Sequence, residues 1–322
     1  NISSADNQGV IFGVSNQSTN NTNSMIMGQG NVVTQLNKSV VLGSDNNVST
    51  AVDSILMGNT NVISAGENNV ISGNDNKSTI DKDIILSGKS NVTEDTIRTV
   101  VSGLQNKVNG SQNTIVTGHN NTANDNLNVA VSGLLNNVVN SENSVISGKV
   151  NDIDDNKNTA VFGDTNVSNK TINTIISGYD NEVDDTGASI VSGYENKVMD
   201  ASQVFVFGEG NDVSGNTKYA MVGGYYNKEK GGTNNTVIGT LHELKNTSNS
   251  AVFGRQNKEE SGNSNLICGA EHDVAFTTNT VIFGKDNEVE NNNVCMIVGN
   301  NISSTDNHAT FLVGENISSS NN

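Results

Sequence analysis

A glycine that closes a short apolar run returns every 15 residues from Gly13 to Gly223 and again from Gly239 to Gly314, 21 glycines in all, with a single interval of 16. A register this strict restricts the chain to a solenoid, because an added residue inside one coil displaces every later side chain from its neighbours above and below. A hydrophobic fraction of 33% with a formal net charge of −17 would by itself fit disorder. Disordered tracts, however, do not hold apolar residues in phase. Aromatic residues make up 4% and Trp is absent, so the core is read as a narrow roll of Val, Ile and Leu. The sequence reads as one domain, 1–322, of about 21 coils with an irregular coil at 223–239. Since the repeat is already running at Val10 and still running at Gly314, a fragment of a longer protein is expected.

Counting each coil from its glycine as zero, position −2 is apolar throughout, as at Ile11, Val41, Val161 and Leu312, and position −3 is apolar everywhere except Thr236. Three or four positions rich in β-branched residues and ended by Gly predict a strand too short to be a helix. A second apolar column falls at +5, through Val33, Ile63, Val108, Val183 and Val289. Between the two lies Asn at +3, unbroken from Asn16 to Asn211. Gly reaches positive φ freely, and Asn tolerates the left-handed region while bonding the backbone, so this segment is read as a tight corner. The period is then strand, corner, strand, corner. Stacking places Asn on Asn, where an amide ladder can run along the axis. Absence of Pro suits strands whose N–H groups nearly all donate to the next coil. At roughly 4.8 Å per coil the stack would reach on the order of 100 Å.

The charge balance, 17 Lys and Arg against 34 Asp and Glu, argues against nucleic acid or an anionic membrane as partner. No run has the length of a transmembrane helix, and residues 1–30 lack a signal-peptide pattern. Cys268 and Cys295 fall two coils apart, about 10 Å, beyond disulfide reach, and are expected to be free and buried.

The titratable residues point away from catalysis. His242 and His272 occupy the +3 position usually held by Asn, two coils apart with Asn257 between them. At about 10 Å they share no metal and read as substitute hydrogen-bonders, while His119 and His308 are isolated. Acidic pairs at Glu94-Asp95, Asp154-Asp155, Asp184-Asp185 and Glu259-Glu260 read as solvated loop charge, since neither an EF-hand loop nor a calcium nonapeptide occurs. No nucleophile elbow, zinc-protease motif or phosphate loop is present, so no enzyme, cofactor or metal is expected. Candidate ligand-binding residues are the surface tyrosines Tyr179, Tyr194, Tyr225 and Tyr226, with Lys228, Lys230, Gly231 and Gly232 as a flexible, locally basic loop.

Positions −3 and −2 point to opposite faces of one strand, so only one of them fills the roll. The other forms an apolar stripe longer than a lone soluble rod tolerates. Burial against identical chains is therefore expected.

Segments such as Asn143-Ser144-Val145-Ile146-Ser147-Gly148, Asn158-Thr159-Ala160-Val161-Phe162-Gly163 and Asn249-Ser250-Ala251-Val252-Phe253-Gly254 resemble the head repeats of trimeric autotransporter adhesins, the YadA-like heads. The resemblance covers residues 7–316 and rests on repetition. It implies a left-handed parallel β-roll, three copies packed as a homotrimer, and display at the cell surface as the exposed passenger region of an outer-membrane-anchored protein. The period of 15 rather than 14 and the Asn corner depart from that family, and no neck, coiled-coil stalk or barrel anchor is visible. The function this implies is a non-catalytic adhesin head that binds host extracellular matrix, glycan or another cell multivalently, without direct membrane contact by this stretch. The alternative is a structural or ice-binding β-solenoid. Against ice binding, no Thr-x-Thr column runs along any face.

Overall fold

The computed structural model describes residues 1–5 and 8–321, so Asn7, where the adhesin-head resemblance begins, lies outside the described residues. The chain divides into two compact units, Asn1–Lys157 and Asn158–Asn322, where the sequence reads as a single domain. Each unit is an all-β parallel solenoid. Among the described residues no helix is long and apolar enough to cross a membrane.

In the first unit the long strands run from Val10–Val14 to Val145–Lys149. Each pairs in parallel with the strand 15 residues on, as in Ile11 with Ile26 and Val131 with Ile146. Short strands centred on position +5 pair in the same offset, for example Val108 with Ala123. A third run, missed by the two-strand reading, is formed by two-residue strands such as Ala51–Val52 and by bridges such as Gln112 with Leu127. Three left-handed corners join the three runs, at Ser15, Asn20 and Asn23 in the first coil. The first corner residue is thus position +2, one before the Asn assigned to it from sequence.

That Asn points inward instead. Asn31 Nδ2 donates to Asn16 Oδ1 at 2.9 Å and to the Gly43 carbonyl at 2.8 Å, while its own N–H donates to Asn16 Oδ1 at 3.1 Å. The expected amide ladder is present, and it explains why Asn and Gly share a period. A Cβ on Gly13 would overlap the carbonyl oxygen of Gly28, and that same carbonyl accepts from Asn16 Nδ2 at 2.9 Å. Only a glycine with φ near +112° leaves that space.

Inward side chains close the core at five positions per coil. In the first unit Val41, Leu56 and Ile71 fill the −2 column, and Val48 and Ile63 the +5 column. Small or hydrogen-bonded residues such as Ala51, Ser54 and Thr99 fill the remaining buried places. Position −2 is therefore the core side and −3 the outer side, a choice that sequence alternation leaves open.

The second unit repeats this plan from Ala160–Asp164 to Phe311–Glu315, with Val161, Ile176 and Val206 in its −2 column. Gly208 pairs with Gly224 and Gly224 with Gly239. The 16-residue interval is consequently 208–224, correcting the sequence assignment to 223–239. The extra residue is absorbed at a corner, where Gly215 and Asn216 are both left-handed. Gly223 falls at −1, and the Phe207 ring occupies the space a side chain there would need. In this register the Asn column reaches Asn227, then continues as His242, Asn257, His272 and Asn287.

Three local features differ from expectation. Glu259 faces inward and is buried, so of the Glu259-Glu260 pair only Glu260 lies outside. Lys228–Lys230 is a strand with Glu229 inward, which corrects the flexible basic loop. Cys268 is only half-buried while Cys295 is buried, and both are free.

Candidate functional site: the charge-free strand face

The outward positions −3 and −1 of every long strand form one side of each unit. The chain carries 17 Lys and Arg and 34 Asp and Glu, yet none stands at either position in any coil. Charge stands instead at the strand-end position +1, as at Lys89, Lys149 and Glu209, on the corners and on the other two runs, where exposed pairs such as Lys197 with Glu182 at 3.0 Å form between successive coils.

Within the first unit this face has a regular chemistry over six coils. Position −1 is Ser72, Ser87, Ser102, Thr117, Ser132 and Ser147, each the strand partner of the next. Beside them position −3 is Val70, Ile85, Val100, Ile115, Ala130 and Val145. The hydroxyl row and the aliphatic row lie about 6.6 Å apart across the strand, and each repeats about every 4.8 Å along the stack. The six hydroxyl residues are half-buried, and their side chains have no protein partner among the described residues. Rigidity comes from beneath, because the carbonyls of Ser72, Ser87, Ser102, Thr117 and Ser132 accept from the ladder, as Ser102 does from Asn106 Nδ2 at 3.0 Å. A surface of this kind can hold water in a fixed lattice. Its methyl groups cage water without binding it and its hydroxyls anchor it, while the ions of these strands, Lys89 and Lys149, stand at +1, outside the two rows.

Elsewhere the same face is bulkier. In the first unit −1 is Phe12, Met27, Leu42 and Met57, and in the second it includes Phe162, Phe253, Phe283 and Val313. Phe12 is 63% exposed and Phe311, at −3, is 68% exposed.

Of the residues singled out from sequence, Tyr179 and Tyr194 sit at +1 on neighbouring strands with stacked rings, centroids 5.3 Å apart. Tyr225 and Tyr226 meet edge to face at 4.5 Å. Lys228 and Lys230 are not part of that group but lie on the short strand, opposite Asp212 and Ser214. His242 takes the ladder role expected of it, accepting at Nδ1 from the Asn257 N–H at 3.2 Å. Nε2 therefore carries the proton toward the Ile238 carbonyl, at 3.3 Å. Burial lowers the pKa of His242 and of His272, partly opposed by backbone hydrogen bonds. No group of three metal-ligating side chains occurs among the described residues.

Three buried carboxylates escaped the sequence reading. Asp81 accepts from five donors, including Ser78 Oγ at 2.7 Å and both Thr96 N–H and Oγ1 at 2.9 Å. Glu229 and Glu259 are poorer. Each takes an Asn amide on Oε1, from Asn235 at 2.8 Å and Asn265 at 2.7 Å, Glu259 Oε1 also accepts from Ser250 Oγ at 2.9 Å, and each Oε2 is buried without a partner. Burial raises both pKa values, that of Glu229 to about 7. The available signal was acid in the +5 column with Gly three residues on, at Gly232 and Gly262, where a Cβ would strike the carboxylate.

Residues 138–239 match the family described as the grass antifreeze beta roll. No curated protein matches the chain. The matched stretch includes three aliphatic–hydroxyl pairs of the outer face, Val145 with Ser147, Ile175 with Ser177 and Ile190 with Ser192.

Proposed function

We propose that the protein is a non-catalytic β-roll that binds ice through the charge-free −3 and −1 rows of its long strands. The observation that carries this reading is the run from Ser72 to Ser147, six successive coils presenting an aliphatic and a hydroxyl side chain in unslipped register. The similarity of residues 138–239 to the grass antifreeze beta roll supports it. In place of the hydroxyl and methyl that each Thr of a Thr-x-Thr motif carries, this face divides the two groups between the −1 and −3 rows.

Thermal hysteresis and ice-recrystallisation assays on the full chain test the proposal. Ser102→Lys and Thr117→Lys together should abolish most activity, while Gln112→Lys, the same kind of charge change on the third run, should not. Absence of hysteresis in the folded wild-type chain refutes it.

A second reading is favoured by the exposed Phe, Met and Val that flank the hydroxyl run. Such a surface suits burial against identical copies, as in a homotrimeric adhesin head at the cell surface that binds matrix protein, glycan or a partner cell multivalently. Light scattering separates the two: a mass three times that of the chain supports the head, and a monomer with hysteresis supports the ice binder.

A further inference from the structure

At the margin of the second unit's long strands, Glu209 has Tyr194 as strand partner on one side and Tyr225 on the other. At about 4.8 Å per coil the two tyrosine backbones stand about 10 Å apart with the carboxylate-bearing coil between them. The residue after Glu209 is Gly210, and a Cβ there would meet the Tyr226 ring at 2.6 Å. Glycine thus lets Tyr226 lean over the middle coil, where it meets Tyr225 edge to face at 74°. Glu209 is flanked along the strand margin by tyrosines of the coil before and the coil after, an arrangement hereafter called the notch.

Its electrostatics have one sign. Glu195 hydrogen-bonds Tyr194 and pushes that phenol up to about 12. Tyr226 is raised by desolvation and by the charges of Glu195 and Glu209. Among the described residues neither carboxylate has an ion-pair partner. The nearest cation in sequence, Lys197, is held by Glu182 on the short-strand run. Tyr194, Tyr225 and Tyr226 are 40–45% exposed, so the notch is open to solvent.

We propose that this notch binds the guanidinium of an arginine on a partner polypeptide. A flat cation can lie against a tyrosine face and turn its edge to a carboxylate in a bidentate contact, which a point-charge ammonium cannot do. A neutral ligand would leave the two carboxylates without a cation, and an anion would be repelled. The assignment is independent of the ice reading, because it concerns the strand margin of the second unit and not the hydroxyl run of the first.

Titration calorimetry of the full chain with blocked tri-arginine and blocked tri-lysine, at about 0.15 M salt to screen long-range attraction, tests it. The arginine peptide should bind about three- to five-fold tighter, the margin of one exposed cation–π contact. Glu209→Gln and Tyr226→Ala should erase that preference, Tyr226→Phe should keep it, and Glu288→Gln, the same charge change on a different run, should keep it too. Equal affinity for the two peptides, or a preference that survives both Glu209→Gln and Tyr226→Ala, overturns the proposal. So does stronger binding of tetramethylammonium than of guanidinium ion.

Discussion

Replacing Glu229 by Gln should make the second unit more stable at neutral pH and remove a pH dependence that runs opposite to ordinary acid denaturation. The Glu229 carboxyl rises from 4.5 to about 7, chiefly through burial, with the charge of Glu259 adding and the Asn235 amide opposing. A group whose pKa is higher folded than unfolded contributes stability that is complete below the unfolded value, here 4.5, and is lost as pH rises through the folded one. Over that window the loss is about 3 kcal/mol, since each pH step between the two values is worth about 1.4 kcal/mol. Gln cannot ionise, and its amide nitrogen, in the place of the unpartnered Oε2, costs about 1 kcal/mol at every pH.

The expected result is therefore a crossing. Near pH 4 Glu229→Gln is slightly less stable than wild type, and near pH 8 it is more stable by about 2 kcal/mol. Thermal melting by circular dichroism from pH 4 to 8, with hydrogen exchange of residues 221–245 as a local probe, reads the difference. His242 and His272 act in the other sense, since bases with lowered pKa lose stability as pH falls, but they are common to both proteins and cancel in the comparison. Parallel pH curves for variant and wild type would refute the argument. They would mean that Oε2 is hydrated or paired in solution and that Glu229 titrates as an ordinary carboxyl.

Other substitutions probe the ladder and the core. Asn106→Ala should cost about 2–3 kcal/mol, because it strands the Gly118 carbonyl and the Asn121 N–H that bond Asn106 at 2.9 and 3.0 Å; chemical denaturation of the full chain measures it. Gly103→Ala should be at least as harmful, since its Cβ would overlap the Gly118 carbonyl, and the soluble folded yield should fall sharply. Val161→Asp places a carboxylate in the fully buried −2 column and should cost above about 4 kcal/mol, whereas Phe162→Asp, outward and exposed, should leave melting within about 0.5 kcal/mol of wild type in a monomer. Should Phe162→Asp also dissociate a larger assembly in light scattering, the outer face is an interface between copies.

Much of this architecture is legible in the sequence because a solenoid prints its geometry once per coil. The 15-residue period, the −2 and +5 core columns and the stacked Asn of the ladder follow from repeated glycine, aliphatic and amide positions. The orientation of the long strand does not. Positions −3 and −2 are both apolar, and alternation is unchanged when inside and outside are exchanged. What breaks the tie is the charge-free but hydroxyl-bearing −1 row, which shares a side with −3 and cannot be the core side while Asn16, Val33 and their successors fill the interior. The misplaced insertion has a similar cause. Gly223 and Gly224 are adjacent, and either can close the coil, but only Gly224 keeps Asn227 in the amide column.

The buried carboxylates separate the positions where the coil dictates chemistry from those where it merely tolerates it. Asp81 is surrounded by Ser78, Thr93 and Thr96, hydroxyls from its own coil and the next, so its charge is met by five donors. Glu229 and Glu259 occupy a column that elsewhere holds aliphatic or small hydroxyl residues, and each is accommodated by deleting the side chain at Gly232 or Gly262, with donors on Oε1 alone. Space alone does not solvate a charge, and each carboxyl is left with one bare oxygen. Restoring a donor should then act in the same direction as removing the charge. Leu244 lies between the two glutamates in the same column, and Leu244→Thr would offer a hydroxyl to the stack much as Thr93 does to Asp81. With Glu229 retained, Leu244→Thr should lower the carboxyl's pKa and flatten the pH curve, at a cavity cost of about 1–3 kcal/mol that is the same at every pH. A slope identical to wild type would show that the missing quantity at Glu229 is water, not a donor.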